Sequence, residues 1–245
     1  MEDKSMTLTE HLEELRRVII ICLIALGVGT VIAYFGFRNQ LFALITRPVS
    51  ALGVSLVYIT PLEAFYTSIK ISLLAAVFLA LPVILWQVWS FILPALHQHE
   101  RRLVFIVMPL SLFLFLCGLA FGYFVVFPVA LNFLLITVSH GFEPLITISR
   151  YVGFLVTFVL PFGLIFQMPL VVVMLTRLGL LSPEFLAKNR KVTVLLIFVV
   201  AAVLTPPDVI SQVLMGFPMV ALYESSIWLS FLVRRRQEKA ESEST

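Results

Sequence analysis

Two glutamates stand out by their neighbours. Glu14 sits in His11-Leu12-Glu13-Glu14-Leu15-Arg16, and Glu100 sits in His99-Glu100-Arg101-Arg102. Each lies where a polar stretch gives way to a long apolar run. At such a boundary the dielectric falls, and a carboxylate gains from a planar guanidinium that meets both its oxygens. The pair would favour arginine over lysine, whose ammonium has no matching fork. The same residues also read as solvated carboxylates paired with their own neighbouring arginines, an arrangement worth little energy.

Enzymatic chemistry finds no such footing. His99-Glu100-Arg101-Arg102-Leu103 begins like a zinc-protease helix but has Leu103 where the second histidine must stand. There is no G-x-S-x-G, no Walker loop and no Cys/His ligand cluster. His11, His97, His99 and His140 sit at the ends of apolar runs, and Cys22 and Cys117 lie inside them as small hydrophobes. No catalytic residue, metal or cofactor is expected.

Five further polar positions are informative. Asp208 follows Pro206-Pro207 and reads as a helix N-cap. Thr205 and Gln212 complete a small polar cluster able to hydrogen-bond a partner helix within a bilayer. Gln167 and Glu224 lie inside apolar runs, where a carboxylate is costly and is a functional candidate by default.

The elements that hold these residues must suit lipid. Of 245 residues, 60% are hydrophobic and 13% charged, roughly half the charged share of a soluble domain. A water-soluble fold of this size cannot hide so much apolar side chain. Residues 18–37, 71–93, 103–127, 152–176 and 213–233 are each long enough to cross a bilayer as a helix. Residues 192–204 cover only about 20 Å of a ~30 Å core and stop at Pro206-Pro207. They count as a short fifth span because the charges demand an even number.

Those charges are lopsided. Lys4, Arg16 and Arg17 precede the first span, and Arg101 and Arg102 separate the second from the third. Arg177, Lys188, Arg190 and Lys191 separate the fourth from the fifth, and Arg234, Arg235, Arg236 and Lys239 follow the sixth. Thirteen of the 17 basic residues thus share one face, leaving Arg38, Arg47, Lys70 and Arg150 for the other. The positive-inside rule makes both termini cytoplasmic, and this distribution argues against a nucleic-acid partner. The expected fold is all-α: six transmembrane helices in one domain over residues 1–233, with a polar cytoplasmic tail over 234–245 that is disordered from residue 237. The first span is too long for a signal-peptide core and lacks a small-x-small cleavage site.

Local signals refine this picture. Thr7-Leu8-Thr9-Glu10 and Thr60-Pro61-Leu62-Glu63 read as capping boxes. Residues 131–138 stay apolar past Pro128 and predict a helix in the second external loop. Pro82, Pro109, Pro161, Pro169 and Pro218 fall inside spans and bend them, which with the short spans predicts a concave bundle. Tyr66, Trp86, Trp89 and Trp228 supply candidates for interface anchors.

At this point the residues resemble a family. His11-Leu12-Glu13-Glu14-Leu15-Arg16, the run from Pro82-Val83-Ile84-Leu85-Trp86-Gln87-Val88-Trp89 to Pro94-Ala95-Leu96, and His99-Glu100-Arg101-Arg102 carry the likeness. Tyr123-Phe124-Val125-Val126-Phe127-Pro128 and Thr205-Pro206-Pro207-Asp208-Val209-Ile210-Ser211-Gln212 extend it, in order. Together they resemble TatC, the multi-span receptor component of the twin-arginine translocase of the bacterial inner membrane. The resemblance implies that Glu14 and Glu100 bind the twin arginines of a signal peptide, with Arg16 and Phe91 in support. It implies roles for Pro48 and Asp208 on the external side. Thr205, Gln212, Glu224 and Gln167 match a polar patch for single-span TatA- and TatB-type partners. Some family members carry Glu where this chain has Gln167. Self-association and a proton-motive drive are also implied. The rival readings are a small-solute or ion transporter, which would be expected to show repeated halves, and a membrane protease, for which no nucleophile–base pair is present.

Overall fold

The computed structural model describes residues 8–92, 101–137 and 145–243. In chain order the elements are α1 (Leu8–Gly36), α2 (Arg38–Ser50), β1 (Leu56–Val57), α3 (Pro61–Ile92) and α4 (Arg101–Phe121). A wide π-turn (Gly122–Val126), α5 (Phe127–Asn132) and a second π-turn (Phe133–Thr137) continue α4. Then come β2 (Ile146–Thr147), α6 (Ile148–Ile165), α7 (Met168–Arg177), α8 (Pro183–Lys188), α9 (Arg190–Leu204) and α10 (Val209–Glu243). Five helical stretches among the described residues are long and apolar enough to cross a membrane, and α9 is a sixth, shorter apolar helix. The fold is that of a polytopic all-α membrane protein. Glu100, the capping box at Thr7, and His97, His99 and His140 lie outside the described residues.

The chain divides into two compact units, Met1–Leu112 with Leu145–Val152, and Phe113–Pro144 with Gly153–Thr245. In the first, α1 packs along α3. Gly29 makes this possible, because a Cβ there would lie 3.2 Å from the Ala76 Cα. Small residues let helices approach where no hydrophobic effect drives them together. The opposite face of α1, including Leu23, Ile24, Val31 and Phe35, stays exposed, as lipid contact requires. The capping box at Thr60 is present: the Glu63 N–H donates to Thr60 Oγ1 at 3.3 Å. The Glu63 carboxylate does more than the pattern predicts. Oε2 accepts from the Ile59 N–H at 2.9 Å and Oε1 from the Ser149 N–H at 3.3 Å, so one side chain caps the starts of α3 and α6.

α2 and the strands were not foreseen. α2 buries Ile45 and Val49 one turn apart, and Tyr151 Oη donates to the Ile45 carbonyl at 2.7 Å. Gly53, at φ 75°, turns the chain toward β1, which pairs in parallel with β2 through Leu56↔Ile146 and Val57↔Thr147. Trp89 is a packing residue rather than an interface anchor. It is buried and its Nε1 donates to Ser111 Oγ at 3.2 Å, whereas Tyr66, Trp86 and Trp228 are exposed.

In the second unit a glycine pair sets the crossing of α4 with α6. A Cβ on Gly118 would lie 2.4 Å from the Phe162 carbonyl oxygen, and one on Gly122 would lie 2.8 Å from the Phe162 ring. Phe121 meets Phe162 edge to face, and Phe127, Phe154, Phe158 and Phe162 pack ring on ring at tilted angles around this contact. The first π-turn precedes Pro128, whose missing N–H and bulky ring an α-helix cannot accommodate; the Phe127 N–H reaches back to the Gly122 carbonyl instead. The helix expected after Pro128 is present through Thr137.

Two expectations are corrected. Span four, predicted as one helix over 152–176, breaks at Phe166 and Gln167 between α6 and α7, because Pro169 cannot donate into the preceding turn. The tail from residue 237, expected to be disordered, continues α10 in helical form to Glu243. Its Gln237 Nε2 donates to the Arg177 carbonyl at 3.2 Å, and Arg234 pairs with Glu184.

Candidate functional site

Two clusters, one in each unit, hold several of the predicted site residues. The first is at the start of α1. Consecutive spans joined by a segment that does not cross must run antiparallel, so α1 and α3 do. From the Gly29–Ala76 contact, fifteen residues back along α1 reach Glu14 and fifteen forward along α3 reach Phe91. Both steps are about 22 Å, so Glu14 and Phe91 share one end of the helix pair. Glu14 is half-buried, and its Oε2 is enclosed with no hydrogen-bond partner among the described residues. A carboxylate oxygen in that state costs about 1–3 kcal/mol unless a donor arrives from outside the helix. Arg16 is exposed two residues on, so it points away from Glu14's face. Phe91 is half-buried.

The second cluster is the α9–α10 turn. Thr205 is buried, and its N–H and Oγ1 both donate to the Ala201 carbonyl at 2.9 Å, closing α9. Asp208 caps α10, with Oδ1 accepting from the Ser211 N–H at 2.6 Å. Its Oδ2, like Ser211 Oγ, is enclosed and has no partner among the described residues. Gln212 Nε2 reaches across the hairpin to the Phe198 carbonyl at 3.0 Å. Thr205, Asp208 and Gln212 are thus brought together as the sequence predicts. Gln167 and Glu224 do not join them. Gln167 stands at the α6–α7 break. Glu224 lies twelve residues past Gln212, about 18 Å along α10, and binds Arg190 at 3.1 Å. Pro48 sits in the last turn of α2, half-buried.

Neither cluster holds a nucleophile beside a base, and among the described residues no group of three His, Cys, Asp or Glu could hold a metal. The profile of the family described as Sec-independent protein translocase protein (TatC) matches residues 10–218. The chain belongs to the TatC family. The Carboxydothermus hydrogenoformans TatC is 45% identical over 98% of this chain and 99% of its own. TatC of Escherichia coli strain K12 is 39% identical over 98% of this chain and 94% of its own. A crystal structure described as the twin arginine translocase receptor TatC matches with TM-score 0.83 at 40% identity, covering 92% of this chain and all of that one. The protein is therefore an integral membrane component of the Sec-independent protein translocase and not an enzyme.

Three residues that hold the TatC scaffold together, Glu63, Gly118 and Gly122, are not among the sequence-predicted site residues. Glu63 was read as half of one capping box and instead caps two helices 86 residues apart. Gly118 and Gly122 form a G-x-x-x-G pattern, a signal for close helix packing in membranes that was there to be used.

Proposed function

We propose that this TatC-family chain is the receptor that recognises twin-arginine signal peptides on the cytoplasmic side of a bacterial inner membrane. Both termini lie on that side. Glu14 and Glu100 grip the two guanidiniums, with Arg16 and Phe91 flanking them. One observation carries the reading: an enclosed carboxylate oxygen on Glu14, with no donor among the described residues, at the helix end shared with Phe91. An arriving guanidinium supplies the missing donor in bidentate form. The solved relative described as a twin arginine translocase receptor lends weight.

Single-span partners of the TatA and TatB type dock at the turn between α9 and α10, near Thr205 and Gln212. The exposed apolar side chains of Val203, Val209 and Phe217 there suit a lipid-embedded helix. Asp208 and Pro48 act on the external side, and the proton-motive force supplies the energy.

The test is binding of a twin-arginine signal peptide to Glu14→Gln plus Glu100→Gln protein. A charged hydrogen bond is worth about 1.5–3 kcal/mol, so the double variant should bind at least roughly 10-fold more weakly and lose its preference for arginine over lysine. Unchanged affinity with intact arginine preference overturns the clamp.

A further inference from the structure

The ion pair between Arg190 and Glu224 marks a level along α10 that no sequence pattern reveals. Glu224 stands ten residues before Arg234, about 15 Å up the helix axis from the basic cluster that ends the span. Arg190 begins α9, so Lys188 and Lys191 stand at that same raised level. Both lysines are exposed and neither pairs with a carboxylate among the described residues. Directly beside them α9 turns apolar, with Val192, Leu195, Leu196 and Val199 exposed. Trp228, one turn past Glu224 on α10, is 72% exposed, which is where an indole sits when headgroups are level with it. Two bare ammoniums bordering a lipid-facing surface need an anion that carries its own acyl chains.

We propose that Lys188 and Lys191 at the start of α9 bind the phosphate of an anionic phospholipid drawn inward toward this raised level. The Arg190–Glu224 pair neutralises itself, so the two lysines supply the net charge. α8 holds Lys188 in place, because Tyr223 Oη donates to the Leu186 carbonyl at 2.8 Å and Asn189 Nδ2 to the Phe185 carbonyl at 2.9 Å. Phosphatidylglycerol presents the required anionic phosphodiester; phosphatidylcholine cancels it with a quaternary ammonium. The proposal rests on the chain spanning the bilayer and not on signal-peptide binding.

The experiment titrates purified full-length protein in neutral detergent with phosphatidylglycerol or phosphatidylcholine and reads the thermal shift. Phosphatidylglycerol should raise the transition and phosphatidylcholine should not. In Lys188→Gln plus Lys191→Gln the affinity should fall about 30-fold, each lysine near an anionic surface contributing ~1 kcal/mol. Lys188→Arg plus Lys191→Arg should keep it. If the Gln pair does not fold, the single Gln variants are read the same way, each expected to lose about 5-fold. Equal shifts from both lipids, or an undiminished phosphatidylglycerol shift in the Gln variants, overturn the proposal. So does an equal shift from inorganic phosphate, or from a poly-glutamate peptide, which would assign the lysines to a free anion or an acidic protein segment.

Discussion

Placing a methyl group on Gly118 should destabilise the protein, while the same change at Gly27 should not. A Cβ on Gly118 would lie 2.4 Å from the Phe162 carbonyl oxygen, 2.9 Å from its carbon and 2.9 Å from the Phe166 Cβ. Heavy atoms at rest sit about 3.5 Å apart, so roughly 1 Å must open at this crossing. The obstacle is mostly backbone and cannot swing aside. Overpacking of this kind costs about 1–3 kcal/mol, against which alanine returns ~1 kcal/mol of helix propensity. Gly27 is helical and exposed, with nothing within 4 Å of a new Cβ. It therefore takes the gain without the clash. The two variants should differ by about 1–3 kcal/mol, which for a chain of this size separates their midpoints by roughly 3–10 °C. Tryptophan fluorescence during heating in detergent, at one scan rate, measures the gap. Coincident midpoints would show that the α4–α6 crossing has slack at Gly118, and the packing argument would fail.

Other expectations follow from single contacts. Asp208→Ala should lower the midpoint by the ~1 kcal/mol value of an N-cap, and Asp208→Asn should keep most of it, since the amide oxygen still accepts from Ser211. Tyr151→Phe removes the bond to the Ile45 carbonyl, costs about 1 kcal/mol and should speed proteolysis within α2. Glu63→Gln leaves one acceptor where two N–H groups converge, so hydrogen exchange should quicken at Ile59 or Ser149; unchanged exchange at both rejects the double cap. Arg190 and Glu224 are 47% and 41% exposed, so a double-mutant cycle should return a coupling below about 1 kcal/mol; a value of ~3 kcal/mol would mean hydrocarbon, not headgroups, surrounds them.

What the sequence made legible follows the physics of each signal. Apolar runs located the spans, since lipid allows no other way to bury a backbone. The stop at Pro206-Pro207 located the short helix that became α9, and Asp208 was identified as a cap from its place after that stop. The α9–α10 cluster was legible because Thr205, Asp208 and Gln212 are close in the chain as well as in space. The contact of Arg190 with Glu224 was not, because it joins residues 34 apart whose meeting depends on hairpin register. α2 was missed because its apolar run, residues 41–45, is too short to signal a span and Pro48 falls inside the helix. The break at Gln167 was foreseeable from Pro169 as a bend, yet only the surrounding turn geometry decides that the helix stops and restarts.

The short helix ties these observations into one energetic argument. α9 has 15 residues, about 22 Å of a ~30 Å core. A deficit of ~8 Å at a fraction of a kcal/mol per Å costs on the order of 2–3 kcal/mol if the lipid deforms to meet it. The alternative is to leave Lys188 and Lys191 in hydrocarbon, where an unpaired charge costs about 2.5–3.5 kcal/mol each even on the mildest scale. Deformation is the cheaper course, and the exposed Trp228 sits at the level it would produce. Thinning at α9 then has a molecular cause in its basic start, and neutral replacements at Lys188 and Lys191 should relax the bilayer as well as weaken lipid binding.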